Sequence, residues 1–193
     1  MKTKKNKMKF IVHIPIILLF LISTLSGQNT FNKDEFVESI LKSKIYTVYN
    51  EPAMVSNLDS SFLHYHLSEL KKQESGTEFT NRHNGNTIVL TVAEKKHVLK
   101  SLKHQLNLEW NNSQFPNSKM ITFEQVNEYL GKDPNNTVVV VSEPIYIRNK
   151  SLAIIFLSNL CCGRGIGGFV ELSIFRMEKD HWIKYVEISG GDF

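Results

Sequence analysis

Only two cysteines occur in 193 residues, and they sit side by side at positions 161 and 162. A scaffold stapled by several disulfides is therefore excluded, and the fold must be held by apolar burial, for which 41% hydrophobic residues suffice. The familiar catalytic signatures are absent as well: there is no Gly-x-Ser-x-Gly elbow, no His-Glu-x-x-His helix, no calcium loop of alternating Asp and Asn, and no second cysteine pair for zinc. No catalytic residue, no metal ligand and no cofactor is assigned on these grounds. Internal repeats, heptads, low-complexity tracts and interdomain linkers are missing too, so a single domain is the economical reading.

Acidic side chains are missing from residues 1–27, where Lys2, Lys4, Lys5, Lys7 and Lys9 precede an apolar run over residues 10–25. Thr24 and Ser26 meet the small-x-small spacing of a processing site, so this segment reads as an export signal cleaved near Ser26 or Gly27. His13 and Pro15 interrupt the run, whereas a retained spanning helix wants about 20 apolar residues. The expectation is a signal peptide over residues 1–27 and one exported domain over residues 28–193, periplasmic or secreted. Membrane contact is then confined to the segment before cleavage.

Without that leader the chain keeps 18 of its 23 Lys and Arg and all 19 Asp and Glu, a formal net charge of −1. A nucleic-acid surface needs clustered cations to displace counterions, so no nucleic-acid partner is expected.

Apolar residues three or four apart mark short helices in the first two thirds of the chain. Phe36, Val37, Ile40 and Leu41 form one stripe, capped by Thr30 or Asn32 and ending near Lys44. Leu58, Phe62, Leu63, Leu67 and Leu70 form a second, and Val98, Leu99, Leu102 and Leu106 a third. Thr91 and Glu94 have capping-box spacing ahead of the third helix; Thr122 and Gln125 repeat it ahead of a fourth through Val126, Tyr129 and Leu130, with Gly131 as its stop. The intervening pieces read as a strand over residues 45–49, a loop over residues 76–86, a short strand over residues 87–90 and a polar loop over residues 110–119.

Beyond the Asp133-Pro134-Asn135-Asn136 turn the pattern becomes strand-like. Pro144 inside the β-branched run of residues 138–147 predicts an edge strand, a bend, or two short strands in line. Residues 152–157 are apolar at every position, as a central strand covered on both faces requires. Val170, Leu172 and Ile174 alternate with Glu171 and Ser173, a turn follows at residues 178–181, and residues 182–188 close the sheet. The predicted architecture is α+β: N-terminal short helices followed by a C-terminal four-stranded antiparallel β-meander.

Histidines supply one candidate site. His64 and His66 would grip a metal together on a strand, but on the predicted helix they sit about 200° apart and cannot share an ion. His97 and His104 lie among Lys95, Lys96, Lys100 and Lys103, which describes a solvated helix face.

The remaining candidate is a ligand loop made of Cys161, Cys162, Gly163, Arg164, Gly165 and Gly168, which holds both cysteines. Gly163, Gly165 and Gly168 match the dinucleotide fingerprint literally, yet that motif needs a helix after its last glycine and here a strand is predicted. The kinase version needs a strand lysine and two acidic loops downstream, and nothing that follows Gly168 supplies those parts. Glycines at a hairpin crossover, where a Cβ would clash, explain the loop structurally; an anion-binding nest with Arg164 is its functional alternative. Cys161 and Cys162, as neighbours on a strand, point to opposite faces, which favours packing as small hydrophobes over a strained bond between them.

Ser142, Pro144, Ile145, Arg148 and Asn149, the apolar strand, the Cys-Cys-Gly loop and then Lys179, Asp180 and Trp182 form a series with a known counterpart. Over residues 139–193, and more weakly over residues 91–106, the chain resembles an uncharacterised family of exported proteins of Bacteroidota type. That family often has Cys-Gly-x-x-Cys-Gly in the loop, where this chain carries Ile166 and Gly167. The resemblance implies the fold and an exported address, and no activity. The expected function is a non-enzymatic envelope or secreted module that binds a protein or a small ligand. The alternative is a thiol- or His-dependent enzyme or redox protein using the Cys161 and Cys162 loop, or His64 and His66.

Overall fold

The computed structural model describes residues 33–41, 52–58, 60–74, 76–81, 84–110, 114–115, 118–161 and 167–192. The predicted signal segment over residues 1–27, the predicted strand over residues 45–49, and Cys162, Gly163, Arg164, Gly165 and Ile166 lie outside them. No helix among the described residues is long and apolar enough to cross a membrane.

Among the described residues four α-helices form: α1 (Lys33–Leu41), α2 (Ser60–Lys72), α3 (Val92–Gln105) and α4 (Val126–Lys132), the last entered through a 3₁₀ turn at Phe123–Gln125. The capping box of α3 is complete. Thr91 Oγ1 accepts from the Glu94 N–H, and Glu94 accepts in return from the Thr91 N–H at 2.8 Å, so two otherwise orphaned amides are satisfied.

The strands are β1 (Ala53–Val55), β2 (Glu78–Thr80), β3 (Thr87–Val89), β4 (Lys119–Ile121), β5 (Val138–Val141), β6 (Ile145–Ile147), β7 (Leu152–Cys161), β8 (Gly167–Glu178) and β9 (His181–Asp192). Seven of them make one sheet in the order β4-β1-β5-β7-β8-β9, with β6 also paired to β7. The fold class is thus mixed α and β with antiparallel β7, β8 and β9, as expected, but the four-stranded meander is incorrect. Two three-residue strands from the helical part of the chain, β1 and β4, pair in parallel with one another, and β1 pairs in parallel with β5. Segments of three residues carry no readable period, so only long-range pairing reveals them.

Pro144 divides β5 from β6, and the two lie in line along the same edge of β7. Ser142 bridges the gap by accepting the Phe156 N–H on its Oγ at 2.8 Å. Every residue of β7 is buried. One face of the sheet packs Leu152, Ile154, Phe156, Leu172 and Ile174 against α2, α3 and α4. On the other face, Phe36 of α1 meets Phe175 and Trp182 edge to face, with centroids 5.7 and 4.7 Å apart. Glu171 and Ser173, the polar half of the β8 alternation, are consequently buried rather than solvated. Glu171 keeps its charge partner, Lys184 Nζ, at 2.5 Å.

Residues predicted as loops hold two further corrections. β2 lies within residues 76–86 and pairs antiparallel with β3, the Asn84-Gly85 turn between them placing Gly85 at φ 70°. Trp110 and Phe115 are buried, and the Trp110 indole donates to the Val141 carbonyl at 2.8 Å.

Candidate functional site

The β2–β3 hairpin is fastened onto the main sheet by side chains that reach its backbone. Tyr185 donates its hydroxyl to the Thr87 carbonyl at 3.2 Å, Arg148 donates to the Val89 carbonyl at 2.7 Å, and Asn81 returns a bond to the Tyr185 carbonyl at 2.9 Å. These attachments hold the hairpin's outer edge beside the sheet and leave a cleft of about 430 Å³, within the size range of small-molecule sites. Glu78, Val89, Arg148, Leu152, Arg176 and Tyr185 form most of its wall.

Arg148 enters from the β6–β7 turn. Arg148, Asn149 and Lys150 are three successive residues at positive φ, 50°, 54° and 65°, a conformation that costs a side-chain-bearing residue about 1 kcal/mol or more. The turn is closed by Ser151, whose hydroxyl donates to the Arg148 carbonyl at 2.7 Å. In that conformation the guanidinium meets Glu94, with Nε to Oε1 at 2.8 Å and Nη2 to Oε2 at 3.3 Å. The Arg148 hydrogen bond, more than any other influence, holds the Glu94 carboxyl down at about 2, and the same bond raises Arg148 above its ordinary range. One carboxylate thus ties the start of α3, the β6–β7 turn and, through Arg148, the β3 edge.

Arg176 builds the opposite wall. Its guanidinium stacks on the Tyr185 ring, 4.1 Å from the centroid, and pairs with Glu178. The result is a flat, cationic and aromatic platform with guanidinium N–H groups beyond those used on Glu178. Charge in the cleft is nearly balanced, because Glu94 and Glu178 offset the two arginines and Glu78 adds a carboxylate. The Tyr185 and Ser151 hydroxyls are both committed to backbone carbonyls, and neither His nor Cys is in the lining. Such a wall is suited to holding a ligand.

The described ends of the ligand loop predicted from sequence, Cys161 and Gly168, are not in the lining of this cleft. Leu152 lies in the cleft and Cys161 at the far end of the same strand, about 30 Å away at the rise of a β-strand. Cys161 is buried, but it is disulfide-bonded rather than a thiol, where the sequence favoured packing as a small hydrophobe over a bond. Gly168 has φ 139°, and a Cβ there would stand 1.9 Å from the Asn159 carbonyl oxygen, so glycine is obligatory where β8 begins its antiparallel pairing with β7. Cys162, Gly163, Arg164 and Gly165 fall outside the described residues.

His64 and His66 are not brought together either. His64 is exposed, whereas His66 is 1% exposed, accepts or donates at Nδ1 to Ser189 Oγ at 2.7 Å, and packs edge-on to Phe156. Burial pushes its pKa below the ordinary 6.5, with Glu187 opposing. Among the described residues no cluster of three or more His, Cys, Asp or Glu is placed to hold a metal.

Nothing local in the sequence marks Glu78, Arg176 or Tyr185, and Arg148 enters there only in the series that carries the resemblance. The capping box at Glu94 is the one legible signal, and its second partner lies 54 positions away. No protein-family model, curated protein or solved structure matches the chain.

Proposed function

We propose that the protein is an exported, non-enzymatic binding module, periplasmic or secreted after loss of residues 1–27, that holds a small acceptor-rich ligand with one flat face in the cleft beside the β2–β3 hairpin. The Arg176–Tyr185 stack carries this reading: it presents a planar cationic surface at 4.1 Å spacing in a cleft of about 430 Å³ whose Tyr185 and Ser151 hydroxyls are bonded to backbone carbonyls. A sugar or heteroaromatic ring would lie on the platform, while its oxygen acceptors meet guanidinium N–H groups. The lysine-rich leader and the small-x-small site at Thr24 and Ser26 support the address.

The test is a saturation-transfer NMR screen of saccharides, nucleosides and aromatic carboxylates against the exported protein, followed by calorimetry on the hits. Arg176→Ala and Tyr185→Leu are each expected to weaken the best ligand by about tenfold, the worth of a partly desolvated cation–π platform. A ligand whose affinity ignores both substitutions, or turnover abolished by one change outside the cleft, would overturn the proposal. N-terminal sequencing of the exported chain checks the address, with a start near Ser26 or Gly27 expected.

A further inference from the structure

Helices α2 and α3 leave a groove between them on the surface away from the sheet. The Lys95 ammonium, in the first turn of α3, donates to the Lys71 and Gln73 carbonyls at the end of α2, so the two helices pass in opposite directions. Leu67 and Leu99, each partly buried against the core, form the floor of a groove of about 380 Å³, and His64, Lys71 and Lys103 stand on its rim. From His64 to Lys71 is seven residues, about 10 Å of helix.

The charge around this groove is one-sided in a way that net charge conceals. The two helices carry Lys71, Lys72, Lys95, Lys96, Lys100 and Lys103 against Glu69 and Glu94. Glu69 is taken by Lys72 at 3.0 Å and Glu94 by Arg148, so neither neutralises the rim. The rest of residues 28–193 holds 12 Lys and Arg against 17 Asp and Glu. A domain near neutrality as a whole thus has a cationic helix face and an anionic remainder, and the cationic face contains an apolar concavity.

We infer that this groove docks an amphipathic helix of a partner protein, one that presents two or three apolar side chains at i, i+4 and i+7 between acidic residues. The rim fits such a helix: His64 and Lys71 stand about 10 Å apart along α2, the advance of a helix over seven residues, so its apolar stripe rests on the Leu67 and Leu99 floor while carboxylates beside that stripe meet Lys71 and Lys103. Shape decides between this partner and an anionic bilayer. A flat surface would reach the lysine heads, but the leucines are recessed between helices, where only a convex, narrow element gains apolar contact.

The probe is a fluorescein-labelled 16-residue helix with Leu at i, i+4 and i+7 and Glu at the flanking positions, with its Glu-to-Lys counterpart and vesicles of phosphatidylglycerol and phosphatidylcholine as comparisons. Anisotropy titrations of the full exported protein should give binding of the acidic helix on the order of 10–100 µM at low salt, weakening about tenfold by 0.3 M NaCl as screening sets in. The double variant Lys71→Glu/Lys103→Glu changes two exposed side chains and should keep the wild-type circular dichroism. It is expected to lose the acidic helix by tenfold or more and to take up the basic one. Equal binding of both helices, a charge-reversed variant with unaltered preference, binding to vesicles with none to the helix, or no binding of any probe would each overturn the inference.

Discussion

Glu94→Gln removes a single negative charge at the point where the α3 cap, the β6–β7 turn and the β3 edge are tied together. The carboxylate accepts from Arg148 at 2.8 and 3.3 Å and from the Thr91 N–H at 2.8 Å. A carboxyl shifted from 4.5 to about 2 corresponds to at most about 3 kcal/mol of differential interaction. Arg148 is 42% exposed, and solvent screening reduces the usable part to about 1–2 kcal/mol. Glutamine keeps an acceptor for Thr91, so the cap survives and the loss reports the ion pair. The pKa is depressed in the fold, so the stabilisation is complete above 4.5 and is lost as pH falls through the native value near 2. Urea denaturation should therefore show Glu94→Gln about 1.5 kcal/mol less stable than wild type at pH 7, with the gap narrowing from about pH 4.5 downward. Arg148→Ala should cost a similar amount, and Arg148→Gly about 1 kcal/mol less, because glycine releases the strain at φ 50°. A Glu94→Gln variant as stable as wild type at pH 7, or a deficit that stays constant down to pH 2, would refute the reasoning.

Three further outcomes are expected. Gly168→Ala drives a methyl group into the Asn159 carbonyl at 1.9 Å and adds a backbone conformation unsuited to alanine, so soluble yield should collapse or the urea midpoint fall by more than about 3 kcal/mol equivalent; a wild-type midpoint would show that β7 and β8 do not approach at Gly168 as described. Because burial lowers the His66 pKa, the unfolded chain takes up this proton first, and stability should decline as pH drops below 6.5 until the lower native value is passed; His66→Phe should flatten that slope in a series of melts from pH 5 to 8, and an unchanged slope would assign it to other groups. Mass spectrometry after alkylation under denaturing, non-reducing conditions should find no modified cysteine and a mass about 2 Da below that of the reduced chain, whereas two alkylated thiols would contradict the disulfide at Cys161.

Much of the fold could be read from local signals. The α3 start at Thr91 and Glu94 was legible because capping chemistry acts over three residues, and the break between β5 and β6 because proline cannot supply a ladder hydrogen bond. The wholly apolar run from Leu152 announced a strand covered on both faces. In each case the cause and its effect lie within a few residues of one another.

By itself, then, the sequence determined the α3 cap, the chief turns, the central strand, and the lack of any local catalytic or metal motif. The tertiary structure alone decided the rest. β1 and β4 became strands because each found a parallel partner, β2 because β3 lay opposite, and Glu171 could be buried because Lys184 arrived beside it. The cleft exists only where Glu78, Arg148, Arg176 and Tyr185 converge from separate elements, and the cationic groove only where α2 and α3 lie side by side. Such features depend on pairings between residues as far apart as His66 and Ser189, 123 positions in the chain, and no periodicity of one segment encodes what another segment brings to it.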